Sequence, residues 1–236
     1  MADTSQFQLP LLSAAQAQKH VTVNEALAVL DCVSQLRVLD TALTLPPVSA
    51  TEGDAYLVAA GAGGDWFGYD GQLAIAVNGG WRPVAPKAGW QCFNVSTGTH
   101  LLYDGTEWLD STLAATPTGA ATSFLITETD FTLTAGTTLT TNTMIPSHSL
   151  VFGVTARVLS DVTGTLTAWR LGDPSGDDRF ATGLGLAQGS YALGMSNPPT
   201  AYYADTGLVL TGEGGDFAGG DIRLAVHYMR LSPPRA

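Results

Sequence analysis

The feature that most constrains this chain is a rhythm. Beyond residue 50, short apolar runs alternate with turn signals about every eight to twelve residues, the pattern of an all-β fold. The runs fall at residues 55–58 (AYLV), 73–77 (LAIAV), 90–95 (WQCFNV) and 100–103 (HLLY). Between them stand Asp70-Gly71, Asn78-Gly79 and Asp104-Gly105, pairs that supply the positive φ of tight hairpins. Aromatic residues flank these turns: Tyr69, Trp81, Tyr103 and Trp108. The spacing predicts a meander of hairpins with aromatic rings stacked across strands. It is too short and irregular for a solenoid or propeller.

A charge-free, small-residue stretch at residues 111–123 (STLAATPTGAATS) reads as a linker. After it, residues 131–134 and 137–140 alternate with period two, as half-buried strands do. Further strands are expected at 150–159, 166–171, 181–186, 191–194, 208–211 and 222–231. The last puts Ile222, Leu224, Val226 and Tyr228 on one face and Arg223, Ala225, His227, Met229 and Leu231 on the other. About seven or eight strands in this length fit a sandwich or jelly roll.

The N-terminus differs. Residues 1–12 read as an extended lead, with Pro10 disfavouring helix just before it. Ser13 and Gln16 form a capping box, and a helix is expected to about Gln35. Val23, Leu27, Leu30 and Ser34 make its stripe, broadened by Ala17, Val21 and Ala28. Such a wide arc implies docking on its own domain or a symmetric bundle with copies of itself. The expected fold is therefore mainly β: a lead and helix (1–36), an aromatic-rich hairpin domain (37–110), a linker (111–123) and a jelly-roll-like β-sandwich (124–236).

Composition excludes several functions. The net charge is −11 and the only lysines are Lys19 and Lys87, so no basic cluster exists to neutralise nucleic-acid phosphates or anionic lipid. Only 13% of residues are charged, against about a quarter in ordinary globular domains, which suits a β-rich particle or extracellular protein. No apolar run reaches the length of a membrane span. The N-terminus lacks the basic start and apolar core of a secretion signal, so synthesis in the cytoplasm and release by lysis or within a particle are expected. Cys32 and Cys92 read as small buried apolar residues, and whether they pair is not legible.

Chemical motifs are sparse. His20, His100, His148 and His227 lack metal-ligand spacing. No nucleophile elbow, P-loop or dinucleotide loop opening a helix occurs; residues 183–189 (GLGLAQG) sit among strands. Two Asp-rich, Gly-rich segments, 172–178 and 212–221, read as turn chemistry. Asp173, Asp177 and Asp178 are the weak alternative for a Ca²⁺ site; otherwise no cofactor is expected. Those carboxylates, or Asp216 and Asp221, are also what a glycosidase would need. The aromatics are the stronger lead, because sugar rings stack on Trp and Tyr. Trp66, Tyr69, Trp81, Trp90 and Trp108 in the hairpin domain and Tyr202 and Tyr203 in the sandwich are the candidates for binding carbohydrate, with a packed core as the competing reading.

Residues 9–27 (LPLLSAAQAQKHVTVNEAL), followed by residues 53–58 (GDAYLV), Asp70-Gly71-Gln72, Ala88-Gly89-Trp90 and residues 103–108 (YDGTEW), resemble an uncharacterised-domain family of alphaproteobacterial prophages and gene transfer agents. The resemblance covers roughly residues 7–110. Residues 203–206 and 219–228 are similar to tips that often follow it. It implies a head spike or fibre on the outside of a phage-like particle, without catalytic residues. The implied partners are capsid or other spike and fibre proteins, cell-surface capsular polysaccharide, and further copies of the chain, as trimers or in fivefold arrays. The alternatives are a ligand-free spike base carrying a separate fibre, and a polysaccharide-degrading spike.

Overall fold

A computed structural model describes residues 3–12 and 19–236; the capping box at Ser13 and Gln16 lies outside them. The chain forms two units, residues 1–119 and 120–236.

Unit 1 holds α1 (Lys19–Ser34), β1 (Arg37–Val38), β2 (Ala55–Leu57), β3 (Leu73–Val77), β4 (Gly80–Val84), β5 (Gln91–Asn94), β6 (Thr99–Tyr103), β7 (Trp108–Asp110) and β8 (Thr112–Ala115). Two small sheets carry it, β2-β3-β4 and β1-β5-β6-β7. All five residues of β3 are buried, which explains why its run is continuously apolar: Leu73, Ile75 and Val77 enter one core cluster and Ala74 the other. Pro83 in β4 is tolerated because β4 is an edge strand.

The helix packs on the first cluster through Ala28, Val29 and Cys32. The stripe read from the sequence is corrected: Val23, Leu30 and Ser34 face solvent, as does Val21. Small side chains let the opposite face sit closer to the sheet. Cys32 and Cys92 are both free and buried in this cluster. Burial pushes their thiols up to about 11 and about 12, so both stay protonated and unreactive.

The lead is folded rather than extended. Thr4 and Leu9 close it through a backbone bond of 2.9 Å, and the buried carboxylate of Asp31 on α1 accepts from Thr4 Oγ1 (2.7 Å) and the amides of Gln6 (2.8 Å) and Phe7 (2.7 Å). Burial raises the pKa of Asp31, but these donors outweigh it and hold the carboxyl below its ordinary range. Asp31→Ala strands those donors. It is expected to cost about 2 kcal/mol and to speed hydrogen exchange at the Gln6 and Phe7 amides; unchanged exchange would refute the clamp.

Unit 2 holds β9 (Ala121–Thr132), β10 (Thr138–Ile145), β11 (Ser149–Gly164), β12 (Ala168–Asp173), β13 (Gly176–Leu184), β14 (Tyr191–Tyr202), β15 (Thr206–Glu213) and β16 (Phe217–Ser232). They form two antiparallel sheets, β14-β11-β16-β9 and β10-β15-β12-β13. First pairs with eighth, second with seventh, third with sixth and fourth with fifth, which is the jelly-roll order. One core lies between the sheets, with Val154, Leu224 and Val226 from one and Trp169, Leu171 and Leu210 from the other. Trp169 satisfies its buried N–H on the Gly185 carbonyl at 3.1 Å.

One expectation is corrected here. The stretch 111–123 contains β8 and the start of β9, and the units divide within it, at residue 119. The segment 172–178 is a tight hairpin between β12 and β13, with Asp173 accepting from the Ser175 and Gly176 amides, whereas 212–221 crosses from one sheet to the other. A Cβ on Gly172 would lie 2.0 Å from the Gly176 carbonyl oxygen, so only glycine lets this hairpin close.

Candidate functional site

Of the five candidate aromatics of unit 1, Trp66 is core and the other four are half-buried. Trp66 has no exposed surface and packs with Tyr56 (5.6 Å) and edge-on against Trp81 (5.1 Å). It cannot stack on a sugar, which corrects that expectation. Trp81 and Tyr69 pack against the same cluster, and Trp90 and Trp108 against the neighbouring one. Trp108 also donates its N–H to the Gly71 carbonyl at 3.2 Å. These rings brace the hairpins, as cross-strand aromatics do.

Unit 2 separates its adjacent tyrosines. Tyr202 ends β14 and points inward, donating its hydroxyl to Asp173. Asp173 is almost fully buried and is held by Ser175 (2.6 Å) and by Arg179 (2.7 Å). Burial raises the Asp173 pKa; the Ser175 and Tyr202 hydroxyls, the Ser175 amide and the Arg179 charge together reverse this, so the carboxyl titrates below its usual range. Burial, then the Asp173 carboxylate, pushes the Tyr202 phenol up, which keeps it a donor.

Tyr203, one residue on, is 78% exposed. It sits in the turn between β14 and β15, with its ring perpendicular to that of His148, centroids 6.2 Å apart. His148 belongs to the turn between β10 and β11. Asp205 ties the two turns together by accepting from the Ser147 amide at 2.7 Å, and Thr206 closes its own turn on the Ala204 carbonyl at 2.9 Å. An exposed aromatic ring thus stands on a base fixed by the buried Asp173 carboxylate and by turn-to-turn hydrogen bonds. Of the seven aromatic candidates, only this one is mostly exposed.

The three candidate Ca²⁺ ligands are not brought together. Asp173 is spent on Arg179 and Tyr202, while Asp177 pairs with Arg170 at 2.8 Å. Among the described residues no group of three metal-ligating side chains occurs. Asp216 and Asp221 are separately tied, Asp216 to Thr137, and Asp221 to Thr132 (2.7 Å) and Ser160 (2.8 Å). No helix among the described residues is long and apolar enough to cross a membrane.

Residues 23–109 match a family model described as a protein of unknown function, DUF2793. The match falls inside the stretch, 7–110, that carries the resemblance seen in the sequence. No curated protein matches. A solved structure titled Cyanophage Pam1 capsid asymmetric unit is similar at 21% identity and a TM-score of 0.34, covering 48% of this chain and 86% of that one. That likeness is too slight to carry an argument.

Sequence reasoning missed the outward face of the sheet β14-β11-β16-β9, where Arg157 lies over the Tyr191 ring at 5.7 Å and Arg223 grips Asp130 through two bonds of 2.6 and 2.7 Å. Alternation in β16 was the available signal.

Proposed function

We propose that this chain is a non-enzymatic structural and adhesion component, a head spike or fibre, of a phage-like gene transfer agent particle, present in several copies and binding cell-surface polysaccharide. The observation that supports attachment is Tyr203: an exposed ring on a rigid turn, beside the polar groups of a second turn. Stacking by one tyrosine gives weak affinity per site, and repeated copies on a particle convert it to avidity. The resemblance of residues 7–110 supports the particle setting. Carboxylates individually committed to hydroxyls or arginines favour binding over glycoside cleavage, which needs two acids facing one bond.

Tyr203→Ala is expected to lower capture of capsular polysaccharide by on the order of tenfold and to leave the melting temperature unchanged. Glycan-array and capsule pull-down measurements on the purified oligomer test this. Absence of any binding by the wild type would refute adhesion and leave a ligand-free spike base. Release of reducing ends from capsule would favour the degrading alternative.

A further inference from the structure

Seven large apolar side chains of unit 2 are exposed: Phe124, Ile126, Tyr191, Leu193, Met195, Tyr203 and Leu231. All except Tyr203 lie on one surface, the outward face of the sheet β14-β11-β16-β9. The opposite face of the same strands supplies the jelly-roll core, so this second face has no partner within unit 2. An apolar patch of this kind on a soluble domain marks a contact surface.

The register arranges the face in rows. Tyr191, Arg157, Arg223 and Asp130 form one row across the four strands; Leu193, Thr155, Ala225 and Glu128 form the next. Then come Met195, Gly153, His227 and Ile126. Beyond them Phe124 and Phe152 stack, rings 5.3 Å apart and 9° from parallel. One end of the face is charged and the other apolar. At the charged end the acids lie on β9 and a base, Arg157, lies on β11.

We infer that this face packs against the same face of a second copy of the chain. A two-fold axis parallel to the strands and above β16 sets β11 of each copy over β9 of the other. Arg157 then meets the other copy's Glu128 and Asp130, Ile126 meets the bare backbone of Gly153, and the Phe124–Phe152 stack meets its own image. Arg223 comes opposite its own image too, but Asp130 of the same chain already neutralises it. The contact is isologous and self-complementary in charge and in polarity. Its extent suffices for a modest interface: β14 projects past β9 of the other copy, and the other three strands, about 4.8 Å apart over about nine residues of 3.4 Å, give roughly 440 Å² in plan, which side-chain relief raises toward the roughly 600 Å² per copy at the lower end of specific interfaces.

The inference gives the multi-copy part of the proposed function a surface, and rests on that reading only there. Tyr203 lies in a turn outside this face, so the two fail separately. The test is light scattering on the purified full chain at micromolar concentration. The wild type is expected at twice the chain mass of 24.5 kDa or an even multiple of it. Phe124→Glu with Ile126→Glu is expected to weaken pairing on the order of 100-fold and to yield half that mass. Arg157→Glu alone weakens pairing, and Glu128→Arg added to it restores pairing. The milder Ile126→Ser, with circular dichroism on every variant, separates lost pairing from lost fold. A monomeric wild type, or variants that keep the wild-type mass, would overturn the inference. Pairing that persists while glycan capture is absent would sink adhesion alone.

Discussion

Trp66→Ala is expected to destabilise unit 1 by about 3–5 kcal/mol, the cost of emptying a large core site, and to shift its urea midpoint accordingly. Trp66 is completely buried between Tyr56 and Trp81. Its indole N–H finds no hydrogen-bond partner among the described residues, and the contacts of the ring are packing contacts. Trp66→Phe, which keeps an aromatic ring and removes an unpaired donor, is therefore expected to cost far less than the alanine change. A ligand platform would show the reverse pattern, with stability kept and binding lost. Full stability in Trp66→Ala would refute the core assignment.

Asp173→Ala is expected to cost unit 2 about 1–3 kcal/mol at neutral pH. Removing the buried carboxylate strands the half-buried Tyr202 hydroxyl, while the exposed Arg179 returns to solvent. The pH dependence follows from the lowered pKa of Asp173. A carboxyl depressed in the folded state contributes its stability fully above the unfolded value of about 3.9 and loses it as pH falls through the folded value. Acid titration of the wild type should show stability declining below about pH 4. Asp173→Asn should flatten that decline in unit 2, leaving the part due to Asp31 in unit 1. An unchanged acid limb in Asp173→Asn would show that the decline comes from other carboxylates.

Several elements were legible because their signal is local. β3 is a continuous apolar run because it is central and covered on both faces. β16 alternates because one face is core: Ile222, Leu224 and Val226 have no exposed surface and Tyr228 has 6%. β4 was not read as a strand, since Gly80 and Pro83 mimic a turn and only its edge position makes Pro83 acceptable. The helix was placed correctly in its described part but turned the wrong way, because hydropathy alone does not register the hydrogen bonds that allow Asp31 to be buried. Tyr202 and Tyr203 show the limit for the site. They are the same residue type, side by side. Their roles diverge because Asp173, 29 residues away, waits under one of them and not under the other. The outward sheet face was hidden for the same reason: Tyr191, Arg157, Arg223 and Asp130 become neighbours only through long-range register.

The nested pairing of unit 2 sets the order in which the protein can be made. The innermost pair, β12 and β13, is joined by a tight hairpin, while the outermost, β9 and β16, brings together residues such as Thr127 and Tyr228, 101 positions apart in sequence. Non-local closure of that kind is slow and comes late. On the ribosome, unit 1 has all its strands before unit 2 begins, whereas unit 2 lacks the strand that belongs between β11 and β9 until β16 emerges. A nascent or prematurely terminated chain therefore carries two bare strand edges at the middle of a sheet, the type of surface on which chains aggregate. Synthesis of β16 acts as a checkpoint, and only copies that pass it have a closed sandwich.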